Sequence, residues 1–384
     1  MPTAGAGSPR QALLLSAYAA PSHLHWQRSL ETMCTGWQWR QLSLPPRHFS
    51  WRVRGNPLYW SQVERAALEQ PCQLLVATSM VDLATLRGLV PVLATVPTLL
   101  YFHENQFAYP RQPRQSSVLE AQMVSLYSAL AADVLAFNSA YNRDTFIAGV
   151  AALLKRLPDR VPPGIPTLLQ DKAVVLPVPV VLAPAVAAGA AWPGAAGGAG
   201  ARPVRLLWSG RFEHDKGGEG LLRLLCELEQ EGPEFELAVT GQQFREVPAA
   251  FRQIERKFSH RLVQFGHVDS PEALQGLRRG ADIVLSTALH EFQGLAVLEA
   301  VAQGCLPVVP DRLAYPEIYP ATFRYRSLPQ AAAQEAAAAA TLVRAMAAAL
   351  PAGELAPPDI SAWGQDALQP RYQALLARLA GGPG

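Results

Sequence analysis

Short apolar runs, rich in Val and Leu, alternate with longer stretches of helical period from one end of the chain to the other. In the first half the runs are residues 12–18, 37–44, 72–79, 98–104, 133–138 and 173–178. In the second half they are 204–210, 235–240, 262–265, 281–286 and 306–309. Most lack the polar alternation of a half-exposed strand, which predicts strands covered on both faces in parallel sheets. Strand–helix–strand rhythm then implies right-handed crossovers with helices on both sides of each sheet, an α/β fold. Residues 330–350 are alanine-rich without Gly or Pro and predict a helix, and 361–379 predict a last helix with Ser361 as its N-cap. Between the halves, 184–203 has almost no charge and too much Gly and Pro for a regular element. The chain therefore divides into a domain over 1–183, a linker or surface loop over 184–203, and a domain over 204–384 carrying the C-terminal helices. No internal repeat is visible.

Length and composition agree with that division. The 384 residues suffice for two cores, and 49% hydrophobic with 17% charged residues describes a globular chain. No apolar run reaches the length of a membrane span, and the first eleven residues lack the layout of a signal peptide. The expectation is a cytoplasmic protein without stable membrane association. The four cysteines, Cys34, Cys72, Cys226 and Cys305, form no CxxC pair and read as reduced thiols. Residues 1–192 hold 15 Lys+Arg against 10 Asp+Glu, whereas 193–384 hold 18 against 21. A basic first half suits an anionic acceptor, and an acidic second half argues against that half gripping a nucleic acid.

Chemistry concentrates at predicted strand ends, where ligands of open α/β sheets bind. Glu291-Phe-Gln-Gly-Leu-Ala-Val-Leu-Glu299 follows the run at 281–286, which sets Glu291 in the turn and Glu299 in the next helix. Gly294 and Leu295 begin that helix, and its free N–H groups can face an anion. On spacing alone the two glutamates equally fit a surface residue and a cap. After the run at 204–210, Arg211-Phe-Glu-His-Asp-Lys216 puts two cations before a glycine-rich helix start, as a diphosphate would need. There is no phosphate-binding G-x-x-x-x-G-K-[ST] loop and no D-x-D pair for a metal on a sugar diphosphate, so a metal-independent, cofactor-free design is expected. In the first half, His103-Glu104-Asn105-Gln106 is a polar cluster at the end of the run at 98–104. Its histidine can donate to a sugar hydroxyl or to charge developing at a reacting carbon. Asn138, after the run at 133–138, is either a ligand contact or, with Ser139 as the other candidate, the cap of the next helix. Trp51-Arg52-Val-Arg54 mixes cations with rings, suiting phosphates and stacked bases or else a packed cluster. Ser22 and His23 follow the first run and can face the same region.

Taken together, these pieces resemble the retaining GT-B glycosyltransferases of family 4, and more narrowly the tRNA-queuosine α-mannosyltransferase family. The narrow similarity rests on Ser22-His23, Trp51-Arg-Val-Arg54, Leu58-Tyr-Trp-Ser61, Tyr101-Phe-His-Glu-Asn-Gln106, Phe137-Asn-Ser139, Arg211 to Lys216, Ser286 to Gly294 and Tyr315-Pro-Glu-Ile-Tyr-Pro320. It implies two facing Rossmann-like domains around an interdomain cleft. The first would bind the acceptor and the second the nucleotide sugar. It implies GDP-mannose as donor and the queuosine of an aspartate tRNA as acceptor. Arg211, Lys216, Gly294 and Leu295 would then hold the diphosphate, Glu299 the ribose, and Gly266 with Val268 the base. Glu291 would contact the transferred sugar, and His103 would sit near its anomeric carbon. Ser22, His23, Arg52, Arg54, Glu104, Asn105 and Asn138 would serve the acceptor. The chain departs from the family at Ala19-Ala20-Pro21, where glycine is usual, at Gln293, and at Gly217-Gly218. Two readings stay open beside it: a family 4 hexosyltransferase with a lipid, polysaccharide or small-molecule acceptor, and a non-catalytic tRNA- or nucleotide-binding protein.

Overall fold

The computed structural model describes residues 9–108, 118–182, 192–193, 202–243, 246–353 and 355–381. Two compact units emerge, one of residues 1–179 with 365–384 and one of 180–364. The first holds a parallel sheet of strands β1 (Arg10–Ser16), β2 (Trp37–Ser43), β3 (Leu74–Thr78), β4 (Thr98–Phe102), β5 (Val134–Phe137) and β6 (Ala173–Val175). Their order is β2-β1-β3-β4-β5-β6. The second holds β7 (Val204–Ser209), β8 (Phe235–Thr240), β9 (Leu262–Gly266), β10 (Ile283–Leu285), β11 (Leu306–Pro310) and β12 (Arg324–Tyr325), again all parallel. Their order is β12-β11-β10-β7-β8-β9. Every residue of β3, β4 and β11 is buried, which is why their sequences carry no polar alternation.

The last helix, Gln365–Leu379, corrects the sequence-based division: it belongs with the first unit and not with the second. Its Tyr372 is fully buried there, where the hydroxyl accepts from Trp26 Nε1 at 3.0 Å and donates to the Pro177 carbonyl at 2.9 Å. Ser361 does not cap that helix; it opens a separate 3-10 turn, Ser361–Trp363. Of the expected linker, 184–191 and 194–201 lie outside the described residues. Trp192 is buried in the second unit, donating to Glu236 at 2.6 Å with the Arg205 guanidinium over its ring. The alanine-rich helix appears as Ala332–Ala349, and the two-residue β12 was not foreseen. Among the described residues no helix is long and apolar enough to cross a membrane.

One helix bends the usual rules. Phe49–Val63 contains Pro57, which has no N–H for the Val53 carbonyl. Asn56 supplies a substitute, its amide donating to Val53 O at 3.1 Å, Arg52 O at 2.7 Å and Met80 O at 3.2 Å. The helix is thereby fixed to the loop that follows β3.

Candidate functional site

In the second unit the strand order reverses between β7 and β10, and a crevice at the carboxyl ends of such strands is where α/β sheets bind ligands. Arg211 and the short turn His214–Lys216 follow β7, and residues 286–294 follow β10. Hydrogen bonds join the two loops. The Asp215 carbonyl accepts from the N–H groups of Leu289 (2.8 Å) and His290 (3.1 Å), and Thr287 Oγ1 donates to Gly217 O at 2.9 Å. Gly217 has φ +73°, and a Cβ there would stand 1.8 Å from the Thr287 carbonyl oxygen. Only glycine allows this approach, which gives the Gly217 departure a physical reason.

Lys216 and Glu291 meet at the centre. Lys216 Nζ lies 3.0 Å from Glu291 Oε2, 3.4 Å from Asp215 Oδ2 and 3.2 Å from the His290 carbonyl. Burial pushes the Glu291 carboxyl up, but the Lys216 ammonium and the Gly294 N–H outweigh it and hold the group at about 2. Burial likewise pulls Lys216 down, and Glu291 and Asp215 more than restore it, so its pKa is raised. The result is an ionised pair with little solvent around it. Lys216, Glu291, Gly294, Ala296 and Tyr315 line one small cavity of about 20 Å³. Gly294 takes φ +73°, and a Cβ there would come within 2.9 Å of the Tyr315 ring. Leu295 begins the helix Leu295–Val301. Arg211 pairs with Glu213 at 3.1 Å and remains partly exposed.

Glu299 stands apart from this pair. It forms an ion pair with Arg278 of helix Pro271–Gly280 and is half-buried. Gly266 ends the edge strand β9 with φ +95° beside the Gln243 amide, and Val268 follows two residues later, half-buried.

In the first unit the strand order reverses between β1 and β3, and His103 follows β4. Its ring stacks on His23 at 4.0 Å, meets Trp26 edge-on at 4.9 Å and lies 4.7 Å from Tyr101. Burial, with His23 and then His25 nearby, holds its pKa well below the ordinary value, so the imidazole is neutral. Its Nε2 is buried with no hydrogen-bond partner among the described residues, a polar atom left unsatisfied by the fold. His23 sits in the first turn of helix Pro21–Met33, next to the exposed Ser22. Ala20 caps this helix at φ −66°, an ordinary extended conformation that needs no glycine.

Other expected acceptor residues are occupied by the fold. Asn105 is buried: its amide donates to Asn142 and Thr145, and its oxygen accepts from the N–H groups of Phe107 and Ala108. Asn138 donates to the His103 carbonyl at 2.9 Å and accepts from Asn142, and it is Ser139 that caps the next helix. These two asparagines shape the His103 loop from within. The Glu104 carbonyl accepts from Ser79 Oγ at 3.1 Å. Arg54 pairs with Asp82 and Glu120, whereas the Arg52 side chain makes no hydrogen bond or ion pair among the described residues.

Three contributors were missed from sequence. His290 adjoins Lys216 and is driven to about 4 by burial and then by the Lys216 charge. Tyr315 bonds Ser286 at 2.6 Å beneath the Gly294 turn. Arg312, paired with Glu335 at 2.8 Å, also donates to the Ala288 carbonyl at 2.9 Å and so braces the loop. His290 and Tyr315 stand in stretches that carry the family similarity, Ser286 to Gly294 and Tyr315 to Pro320, whereas Arg312 carried no signal in the sequence. Among the described residues no three His, Cys, Asp or Glu side chains are grouped as a metal ion would require.

Comparison with known proteins adds ancestry to this geometry. The family model described as tRNA-queuosine alpha-mannosyltransferase N-terminal matches residues 11–180, and the model of glycosyl transferases group 1 matches 197–348. A tRNA-queuosine alpha-mannosyltransferase of Drosophila melanogaster is 36% identical over 279 residues, 72% of this chain and 73% of the relative. Among solved structures, the apo lipopolysaccharide outer core galactosyltransferase WaaB superposes with a TM-score of 0.58 at 12% identity, covering 96% of this chain and 99% of its own. Anabaena HepE in complex with UDP gives 0.57 at 12% identity, covering 96% and 95%. At that identity the solved structures show a shared fold, the α/β GT-B architecture.

Proposed function

The chain belongs to the tRNA-queuosine alpha-mannosyltransferase family, and from that membership we propose that it transfers mannose from GDP-mannose to the queuosine base of an aspartate tRNA. It is a glycosyltransferase. The finer reading is supported chiefly by one observation: the half-buried, ionised Lys216–Glu291 pair sits at the switch point of the unit matched to group 1 glycosyl transferases.

The leaving group of the proposed reaction is a nucleoside diphosphate, whose bridging oxygen gains negative charge as the glycosidic bond breaks. Lys216 is a fixed cation in a poorly hydrated place, where its field acts with little screening. Glu291 keeps it protonated and aimed before any donor arrives. Arg211 and the N–H groups at the Gly294-Leu295 turn supply further positive ends, so no metal ion is called for. Glu299 serves the ribose and Gly266 with Val268 the base, with Glu299 exchanging Arg278 for the nucleotide. The acceptor hydroxyl then attacks on the face the diphosphate leaves. The departing oxygen takes its proton, a front-face substitution that retains configuration. His103, neutral and with Nε2 open, hydrogen-bonds the sugar as charge develops without adding a cation that would repel it.

The test is incubation of the protein with GDP-mannose and queuosine-containing aspartate tRNA, followed by nucleoside mass spectrometry. A hexose added to queuosine is the expected product. Sugar-nucleotide binding without transfer would leave the donor site and discard the acceptor.

A further inference from the structure

Helix Phe49–Val63 exposes what globular proteins usually cover. Trp51 is 55% exposed, Leu58 54% and Tyr59 41%. Positions 51, 55, 58, 59 and 62 share one face of a helix. Gly55 lies under Trp51: a Cβ there would stand 2.4 Å from the indole, so the glycine lets the ring lie along the helix. The opposite face, Val53, Asn56, Pro57 and Trp60, is buried, which holds the exposed rings on a fixed support.

We propose that this exposed face is a docking surface for unpaired bases of the acceptor RNA, with Trp51 and Tyr59 as stacking platforms and Arg47 and Arg52 as phosphate contacts. The inference rests on the reading that the acceptor is a tRNA base. Three observations favour RNA as the occupant. Arg47 and Arg52 have no ion-pair partner among the described residues, so both charges are available. The unit that bears the helix carries 17 Lys+Arg against 11 Asp+Glu, whereas the other unit carries 16 against 20. The helix also shares the carboxyl edge of the sheet with His103. Asp82 N–H donates to Asn56 Oδ1, Asp82 pairs with Arg54, and Ser79 of the same loop donates to the Glu104 carbonyl. Two rings beside arginines are the chemistry of single-strand binding, in which each base offers a face to stack and each phosphate an anion.

The experiment uses the full chain as wild type, Trp51→Ala/Tyr59→Ala and Trp51→Phe/Tyr59→Phe. The readouts are KM for queuosine-containing tRNA, affinity for GDP-mannose and binding to phosphatidylglycerol vesicles. The alanine pair is expected to raise KM for tRNA at least about tenfold, as lost stacking implies, with donor affinity unchanged. The phenylalanine pair, which keeps the rings, should restore most of the loss. Unchanged KM in the alanine pair, with transfer intact in the wild type, overturns the inference and spares the functional reading. A loss that phenylalanine does not rescue, or vesicle binding that disappears in the alanine pair, also overturns it. A wild type that binds the donor but modifies no tRNA overturns both.

Discussion

The two sheets are both parallel and six-stranded but differ in strand order, and they oppose each other in electrostatics. Each reverses strand order once, between β1 and β3 in one and between β7 and β10 in the other. Beside the second reversal stands an ionised pair, Lys216 and Glu291, each holding the other in its charged form. On the same edge of the first sheet stands a neutral imidazole, His103, walled by His23, Trp26 and Tyr101 and held neutral mainly by burial. The difference follows the task proposed for each unit. A diphosphate needs a permanent cation, and a charged partner keeps a half-buried lysine protonated. A sugar on which positive charge develops needs a polar neighbour without positive charge, and desolvation provides that.

Removing the charged member is the harshest way to break the contrast. Lys216→Met is expected to lower kcat at least about a thousandfold, the upper range for loss of one donor to a developing anion. It also leaves the half-buried Glu291 without its partner, which lowers stability. Lys216→Met with Glu291→Gln should recover most of the stability and none of the activity. Chemical denaturation beside steady-state rates separates the two effects, and full activity in either variant would sink the assignment of this pair. Glu299→Ala is likewise expected to abolish turnover by removing the proposed ribose contact.

How much of this contrast could be read from residues alone depends on distance along the chain. The strands were legible because Val- and Leu-rich runs without polar alternation suit only doubly covered sheets, and β12 was not, because two residues carry no pattern. Arg211, Lys216 and Glu291 were legible as a group because each follows a strand that the alternation places in one sheet. The Lys216–Glu291 bond, spanning 75 positions, was not, nor the brace of Arg312 on Ala288, since neither leaves a local signature. Asn105 and Asn138 looked like ligand contacts because polar residues after strands are ambiguous. Their amides proved to be engaged in shaping the His103 loop.

Acid tests both sides of the comparison. His290, ordinarily near 6.5, is held at about 4 by burial and by Lys216. As pH falls below 6.5 the unfolded chain takes up a proton that the folded chain refuses until about 4, so stability falls through that window. The loss attributable to this group is on the order of 3 kcal/mol. His103, also depressed, adds a loss of the same sign that begins at the same upper limit. Glu291 continues the decline from 4.5 toward 2, where protonation finally breaks its bond to Lys216. Denaturant midpoints measured from pH 7 to 4 should fall, and His290→Gln should flatten the fall in the second unit. An unchanged slope in that variant would mean that His290 is hydrated and titrates normally.

The smallest expected effect comes from the far end of the chain, and it tests whether the neutral wall is positioned or merely present. Both family matches stop short of helix Gln365–Leu379, the second at residue 348. Yet Tyr372 of that helix takes the Trp26 indole N–H, and its hydroxyl lies 3.4 Å from that of Tyr101, so it touches two of the three rings around His103. Tyr372→Phe keeps the volume and removes only the hydroxyl. It leaves the Trp26 N–H and the Pro177 carbonyl without their partner, at about 1–3 kcal/mol. If those bonds fix the rings that hold His103, kcat falls in fully folded enzyme while KM for the sugar nucleotide stays unchanged, because the donor residues lie in the other unit. Loss of stability with kcat intact would make Tyr372 a packing residue only. The His103 wall would then owe its geometry to the first 179 residues alone.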